Sequence, residues 1–113
     1  MKSYNNVTLI GKVCKNCDIK QDDSNIGAGS TRATFSLAVE RSYKNSEGKH
    51  ACDFFQVVAC GKLAKICDEY LKKDCLILVT GQLQSRSYES SNETRWITEV
   101  VMDSMNVMDY ART

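Results

Sequence analysis

The sequence predicts an all-β domain with a single helix. Apolar and polar residues alternate through several runs, most clearly where Ala33, Phe35, Leu37 and Val39 alternate with Thr34, Ser36 and Glu40. That is the period of a strand with one buried face. Polar clusters separate these runs at the spacing of loops and hairpins. The period changes once, after Gly61. From there Leu63, Ile66, Cys67, Tyr70 and Leu71 recur as the apolar stripe of a helix of about three turns.

Each element follows in order. Asn6 to Cys14 reads as a first strand with Val7, Leu9, Gly11 and Val13 on one face. Lys15 to Gly29 is polar and too long for a tight turn, so a mobile connection is expected. The second strand carries the Ala33 to Val39 alternation, and Lys44 to His50 is the loop of a hairpin. Its partner, Cys52 to Cys60, sets Phe55, Val57 and Ala59 against Phe54, Gln56, Val58 and Cys60. After the helix, Lys72 and Lys73 supply positive charge suited to its C-terminus. A fourth strand, Cys75 to Tyr88, turns Ile77, Val79, Gly81 and Leu83 inward and Gln82, Gln84, Arg86 and Tyr88 outward. Glu89 to Glu93 is a polar hairpin tip, Thr94 to Met102 a fifth strand, and Asp103 to Thr113 a short mixed remainder. Five strands with a helix between the third and fourth is the element order of an OB-fold, a partly open Greek-key barrel. One such domain fills residues 1–113, its barrel spanning about 6–108.

The chain has 113 residues, 42% of them hydrophobic and 26% charged. That is enough for one core and excludes a disordered chain. The longest apolar run, Cys75 to Val79, is far short of the ~20 residues of a membrane helix. No secretory signal is visible, so the six cysteines are expected to be reduced, apolar fillers in the cytoplasm. A net charge of +1 does not announce a nucleic-acid binder, but a local patch can act within a neutral total.

The outward faces suggest such a patch. Phe54 and Tyr88 point outward, and Tyr43 lies where the second strand leaves the barrel. Strict alternation puts Tyr43 on the face of Phe35 and Leu37, so it is available only if the strand bulges or outruns the core. Arg41, Lys44, Lys49, Lys62 and Arg86 are interleaved with the rings, and Gln56 and Gln84 share the outward faces. Rings beside cations suit single-stranded nucleic acid, where bases stack and phosphates track charge. The alternative is that these rings pack in a subunit interface or against a loop.

Other motifs point to less. Cys14-Lys15-Asn16-Cys17 is the one CxxC, but structural zinc wants four ligands and the remaining cysteines are scattered. No metal, cofactor or catalytic residue is expected. His50 is the sole histidine, expected to be solvated in its loop, and Gly27-Ala28-Gly29 reads as a flexible loop. Asp18, Asp22 and Asp23 lack calcium-loop spacing. Trp96 is expected in the core or a subunit interface, and the helix stripe is expected to be core.

The segments Val7-Thr8-Leu9-Ile10-Gly11-Lys12, Asp53-Phe54-Phe55-Gln56-Val57-Val58, Gly61-Lys62-Leu63-Ala64, Gly81-Gln82-Leu83-Gln84-Ser85-Arg86-Ser87-Tyr88 and Glu99-Val100-Val101 stand in one order. Together they resemble the bacterial and phage single-stranded DNA-binding proteins, from Asn6 to about Met108. The resemblance implies an OB-fold subunit of a homotetramer that wraps single-stranded DNA in replication, repair and recombination. It implies no enzymatic activity, no membrane partner and a cytoplasmic, nucleoid-associated location. It also implies stacking on Tyr43, Phe54 and Tyr88, with phosphate contacts from the interleaved cations. A further stacking position falls on Cys60, which has no ring. Asp74 stands where the family commonly has Gly after the helix. The chain ends Asp109-Tyr110-Ala111-Arg112-Thr113 without the family's acidic tip, so no tail-mediated recruitment of repair proteins is expected. A replication-accessory or protein-interaction OB-fold with reduced DNA affinity is the alternative function.

Overall fold

The computed structural model describes residues 2–21 and 31–109. Six strands and one helix follow one another as β1 (Val7–Val13), β2 (Asp18–Gln21), β3 (Thr31–Lys44), β4 (His50–Cys60), α1 (Lys62–Tyr70), β5 (Leu76–Ser90) and β6 (Glu93–Asp109). The sheet order is β1-β5-β6-β4-β3-β2, and β1 pairs again with β3. That second pairing closes five strands into a barrel. All ladders are antiparallel except β4–β6, where Val57 and Val58 pair in parallel with Val100 and Val101. The OB-fold expectation holds, with α1 lying between the third and fourth barrel strands.

Strand β2 is the addition. It sits inside the segment read as a connection and pairs with β3 from Asp18↔Thr34 to Gln21↔Thr31. The Gly27–Gly29 loop, with Asp22 and Asp23, lies outside the described residues.

The core is the inward set of the barrel strands. Val13, Ala33, Phe35, Leu37, Val57, Ala59, Ile77, Val79, Val100 and Met102 are buried together, with Ala64, Cys67 and Leu71 plugging one end. The helix therefore buries a narrower stripe than its pattern suggests. Ile66 and Tyr70 are exposed, because only its Ala64–Cys67–Leu71 edge meets the barrel. Lys72 Nζ donates to the Asp68 carbonyl at 3.2 Å, as a cation at a helix C-terminus should. Asp74 does adopt a left-handed φ of 74°. It does so in a turn closed by Cys75 N–H to Lys72 O at 3.1 Å, while Leu71 caps the helix in extended form.

Two strands depart from strict alternation. Val58 is buried although it faces outward, being walled in by its register partners Thr34 and Val101. Leu83 is exposed, because β5 outruns the core after Gly81. Strand β6 also continues past Met102 to Asp109, through a bulge opposite Thr80/Gly81. The β5–β6 hairpin turns at Ser91 and Asn92, both at positive φ, the backbone of a two-residue primed turn.

Candidate nucleic-acid interface

Tyr43 is exposed because β3 does both things its exposure requires. The β3–β4 register shifts by a bulge between Glu40 and Lys44, and the strand has already left the core there. Tyr43 is 62% exposed, Phe54 68% and Tyr88 42%. The pleat sets Phe54 and Tyr88 on the outer faces of β4 and β5, while Tyr43 stands beside Arg41 and Asp53 on the β3–β4 extension. Gln56 lies two residues from Phe54 on the same face of β4, and Arg86 two residues from Tyr88 on β5.

Those two polar residues meet at Glu99 of β6. Val100 and Met102 face the core, so Glu99 faces out, yet it is only 3% exposed. Its Oε1 accepts from Arg86 Nε at 2.7 Å, and its Oε2 accepts from Arg86 Nη2 at 3.4 Å and from Gln56 Nε2. Arg32 Nη2 of β3 approaches Oε1 to 3.9 Å. Burial pushes the Glu99 carboxyl up. The Arg86 and Gln56 hydrogen bonds, with the charges of Arg86 and Arg32, outweigh it and hold the group below its ordinary 4.5. The same contacts raise the Arg86 guanidinium, its hydrogen bond to Glu99 foremost.

A second knot forms on the β3–β4 extension. Arg41 donates from Nε and Nη2 to the two oxygens of Asp53 at 3.0 and 2.9 Å, and from Nη1 to the Tyr43 hydroxyl at 3.3 Å. Arg41 is therefore committed to a carboxylate rather than free. His50 belongs to this knot too. It opens β4 rather than lying in the loop, and its solvent-exposed ring donates from Nδ1 to the Arg41 carbonyl at 2.7 Å. Lys44 and Lys49 flank the hairpin turn, which Asn45 Oδ1 organises by accepting from the Glu47 and Lys49 amides.

The remaining expected contacts are more dispersed. Gln84 is exposed on β5 opposite Glu99. Lys62 is exposed on the first turn of α1, beyond the far end of β4 from the hairpin. Cys60 is exposed, opposite Arg32 across the β3–β4 ladder. Trp96 is 72% exposed, which removes it from the core. It opposes Ser87 on the β5–β6 hairpin, on the face away from Tyr88. Glu99, Arg32 and Asp53 escape notice in the sequence. The available signal is a carboxylate standing alone in the run from Ile97 to Met102.

The cysteines do not converge on a site. Burial pushes the Cys17 thiol up to about 11 and that of Cys67 to about 12, against any ready thiolate. Among the described residues no group of three or more His, Cys, Asp and Glu side chains could hold a metal ion. Nor, among them, is any helix long and apolar enough to cross a membrane.

Known proteins resemble this chain in sequence and in fold. The family model described as the single-strand binding protein family covers residues 4–108. Single-stranded DNA-binding protein 4 of Streptococcus agalactiae is 39% identical over 106 residues, which is 93% of this chain and 74% of that protein. The single-stranded DNA-binding protein of Clostridium tetani is 38% identical over 107 residues, 94% of this chain and 71% of its own. A solved Plasmodium falciparum SSB in complex with ssDNA superposes with a TM-score of 0.82 at 27% identity, covering 96% of this chain and 98% of that one. The closed five-stranded barrel, the element order and a match over almost the whole chain agree: the protein belongs to the single-strand binding protein family.

Proposed function

We propose that this protein binds single-stranded DNA with little regard to sequence, across the outer face of its barrel and the two hairpins that extend from it. It is a binding protein and not an enzyme. The carrying observation is that Phe54 and Tyr88 stand exposed on outer faces joined through Gln56, Glu99 and Arg86. Tyr43 adds a third ring at the hairpin. Stacking on such rings tolerates every base, because each base has a π-face. Lys44, Lys49, Lys62 and Arg86 supply phosphate contacts, with Gln56, Gln84 and Arg41 at the margin. Among the described residues no helix is placed to read a major groove, so duplex should bind weakly.

The natural assembly is a homotetramer acting in replication, repair and recombination in the cytoplasm, at the nucleoid. An incomplete ladder supports self-association: β1 pairs with β5 from Val7 to Lys12 but with β3 only at Lys12 and Val13. The rest of that edge is open beside the exposed Ile10, and pairing between subunits would protect it. Light scattering at micromolar concentration tests the assembly, and a monomer mass would remove it.

One observation favours the accessory alternative. Arg41 and Arg86 are each held by a carboxylate, and Cys60 offers no ring. Fluorescence anisotropy with mixed-sequence oligonucleotides decides between the two. Tight, salt-sensitive binding of single strands over duplex supports the main reading, and equal affinity for both would defeat it.

A further inference from the structure

Glu99 is the one charged side chain buried among the described residues. Its neighbours come from three different strands: Arg32 from β3, Gln56 from β4 and Arg86 from β5. A carboxylate in a low-dielectric setting must be satisfied, and here the donors around it do so. Among the described residues only part of each guanidinium's five-donor fork is used. Both arginines remain half-exposed, and with Gln56 they line an open groove of about 310 Å³. Lys20 of β2 lines it too, beside its register partner Arg32. Three cations thus face two carboxylates, Glu99 and Asp18, leaving the groove net positive.

We propose that Glu99 is a positioning residue: it holds Arg32, Gln56 and Arg86 so that their free donors, with Lys20, seat one phosphodiester of single-stranded nucleic acid in this groove. A planar guanidinium aimed by a fixed carboxylate is prepaid in entropy and matches the geometry of a phosphate. The groove begins beside Gln56, two residues from Phe54, so a base stacked on that ring leaves its phosphate within reach. The assignment rests on the single-stranded DNA reading above.

The test is anisotropy titration of a fluorescent oligo-dT over a salt series, using the whole chain. Glu99→Gln keeps the shape and one acceptor but loses the charge that aligns both arginines. Affinity should fall about tenfold, the scale of one charge-assisted contact. The slope of log affinity against log salt should become shallower by about 0.7, one phosphate on a single strand. Phe54→Ala should weaken binding with the slope unchanged. Arg86→Lys keeps the charge without the fork, so weakening there supports the seat even if Glu99→Gln folds poorly. A wild-type slope in Glu99→Gln, wild-type affinity in Arg86→Lys, or a Glu99→Gln protein that binds tighter with a steeper slope overturns the positioning role. Wild-type protein that fails to bind oligo-dT instead removes the single-stranded DNA reading itself.

Discussion

Arg41 and Asp53 meet across the β3–β4 ladder as a two-pronged fork, with Nε–Oδ2 and Nη2–Oδ1 separations of 3.0 and 2.9 Å. The same guanidinium holds the Tyr43 hydroxyl at 3.3 Å. The Arg41 hydrogen bond draws the Asp53 carboxyl below its ordinary range, so the pair stays ionised and nearly neutral in sum. Arg41 therefore orients a ring more than it attracts phosphate.

Two substitutions separate these roles. Asp53→Asn should steepen the salt dependence of oligonucleotide binding by up to about 0.7 in slope, by releasing one cation. Arg41→Ala should weaken binding with almost no change in slope, because Tyr43 loses its anchor. Salt-series titrations check both. A shallower slope in Arg41→Ala would mean that Arg41 touches phosphate directly.

Acid should act on the protein through Glu99. Its carboxyl titrates below 4.5 in the fold and near 4.5 when unfolded. The stability this contributes is complete above the unfolded value and is lost as pH falls through the folded one. Arg86, Arg32 and Gln56 face the group from three strands. Urea midpoints should therefore show wild type more stable than Glu99→Gln near pH 7, with the gap closing as pH falls below 4.5. A gap that stays constant with pH would mean that the charge of Glu99 adds nothing to the fold.

Gly81 marks the place where β5 leaves the core. A Cβ there would run into the Val101 carbonyl and crowd Met102, both backbone, at the bulge that leaves Asp103 unpaired. Gly81→Ala should cost about 1–3 kcal/mol of stability, as overpacking against rigid backbone does. Gly48 is the contrast: it has open space and only a φ of 77°, so Gly48→Ala should cost about 1 kcal/mol. Thermal melts rank the two, and the reverse order would place the strain at the turn.

What the sequence makes legible follows from local period. Ala33 to Val39 alternates because one side is core and the other is not, and the barrel order follows from such runs. Strand β2 is hidden because Ile19 is its only apolar residue, too little for a period. The end of β6 is hidden by its bulge. Val100 and Met102 face inward at even positions, and after Asp103 the packed residues become Met105 and Val107. One extra residue reverses the alternation. The exposure of Phe54 and Tyr88 is legible because it follows the pleat, whereas that of Tyr43 depends on β3 outrunning the core, and the carboxylates that hold Arg41 and Arg86 are not legible at all. Asp53 lies 12 residues from Arg41 and Glu99 lies 13 from Arg86, and only the folded ladder brings them together.

The final expectation concerns how binding energy is spread over the rings. Tyr43, Phe54 and Tyr88 are exposed, so truncating any of them leaves the core intact. Each Ala substitution should cost about 1–3 kcal/mol of single-stranded DNA affinity with little change in melting temperature. Phe54→Ala should stand at the upper end, since its ring is the most open and borders a groove with Gln56 and Ile97. Cys60 faces outward six residues further along β4, opposite Arg32. Cys60→Phe should strengthen binding by about 1 kcal/mol, because a ring there gains a stacking surface beside a guanidinium. Cys60→Ser should change little, since neither side chain can stack. Oligonucleotide titrations paired with melts read all five variants. If the Ala variants keep their affinity but melt early, the rings serve an interface or the fold, and Cys60→Phe will bring no gain.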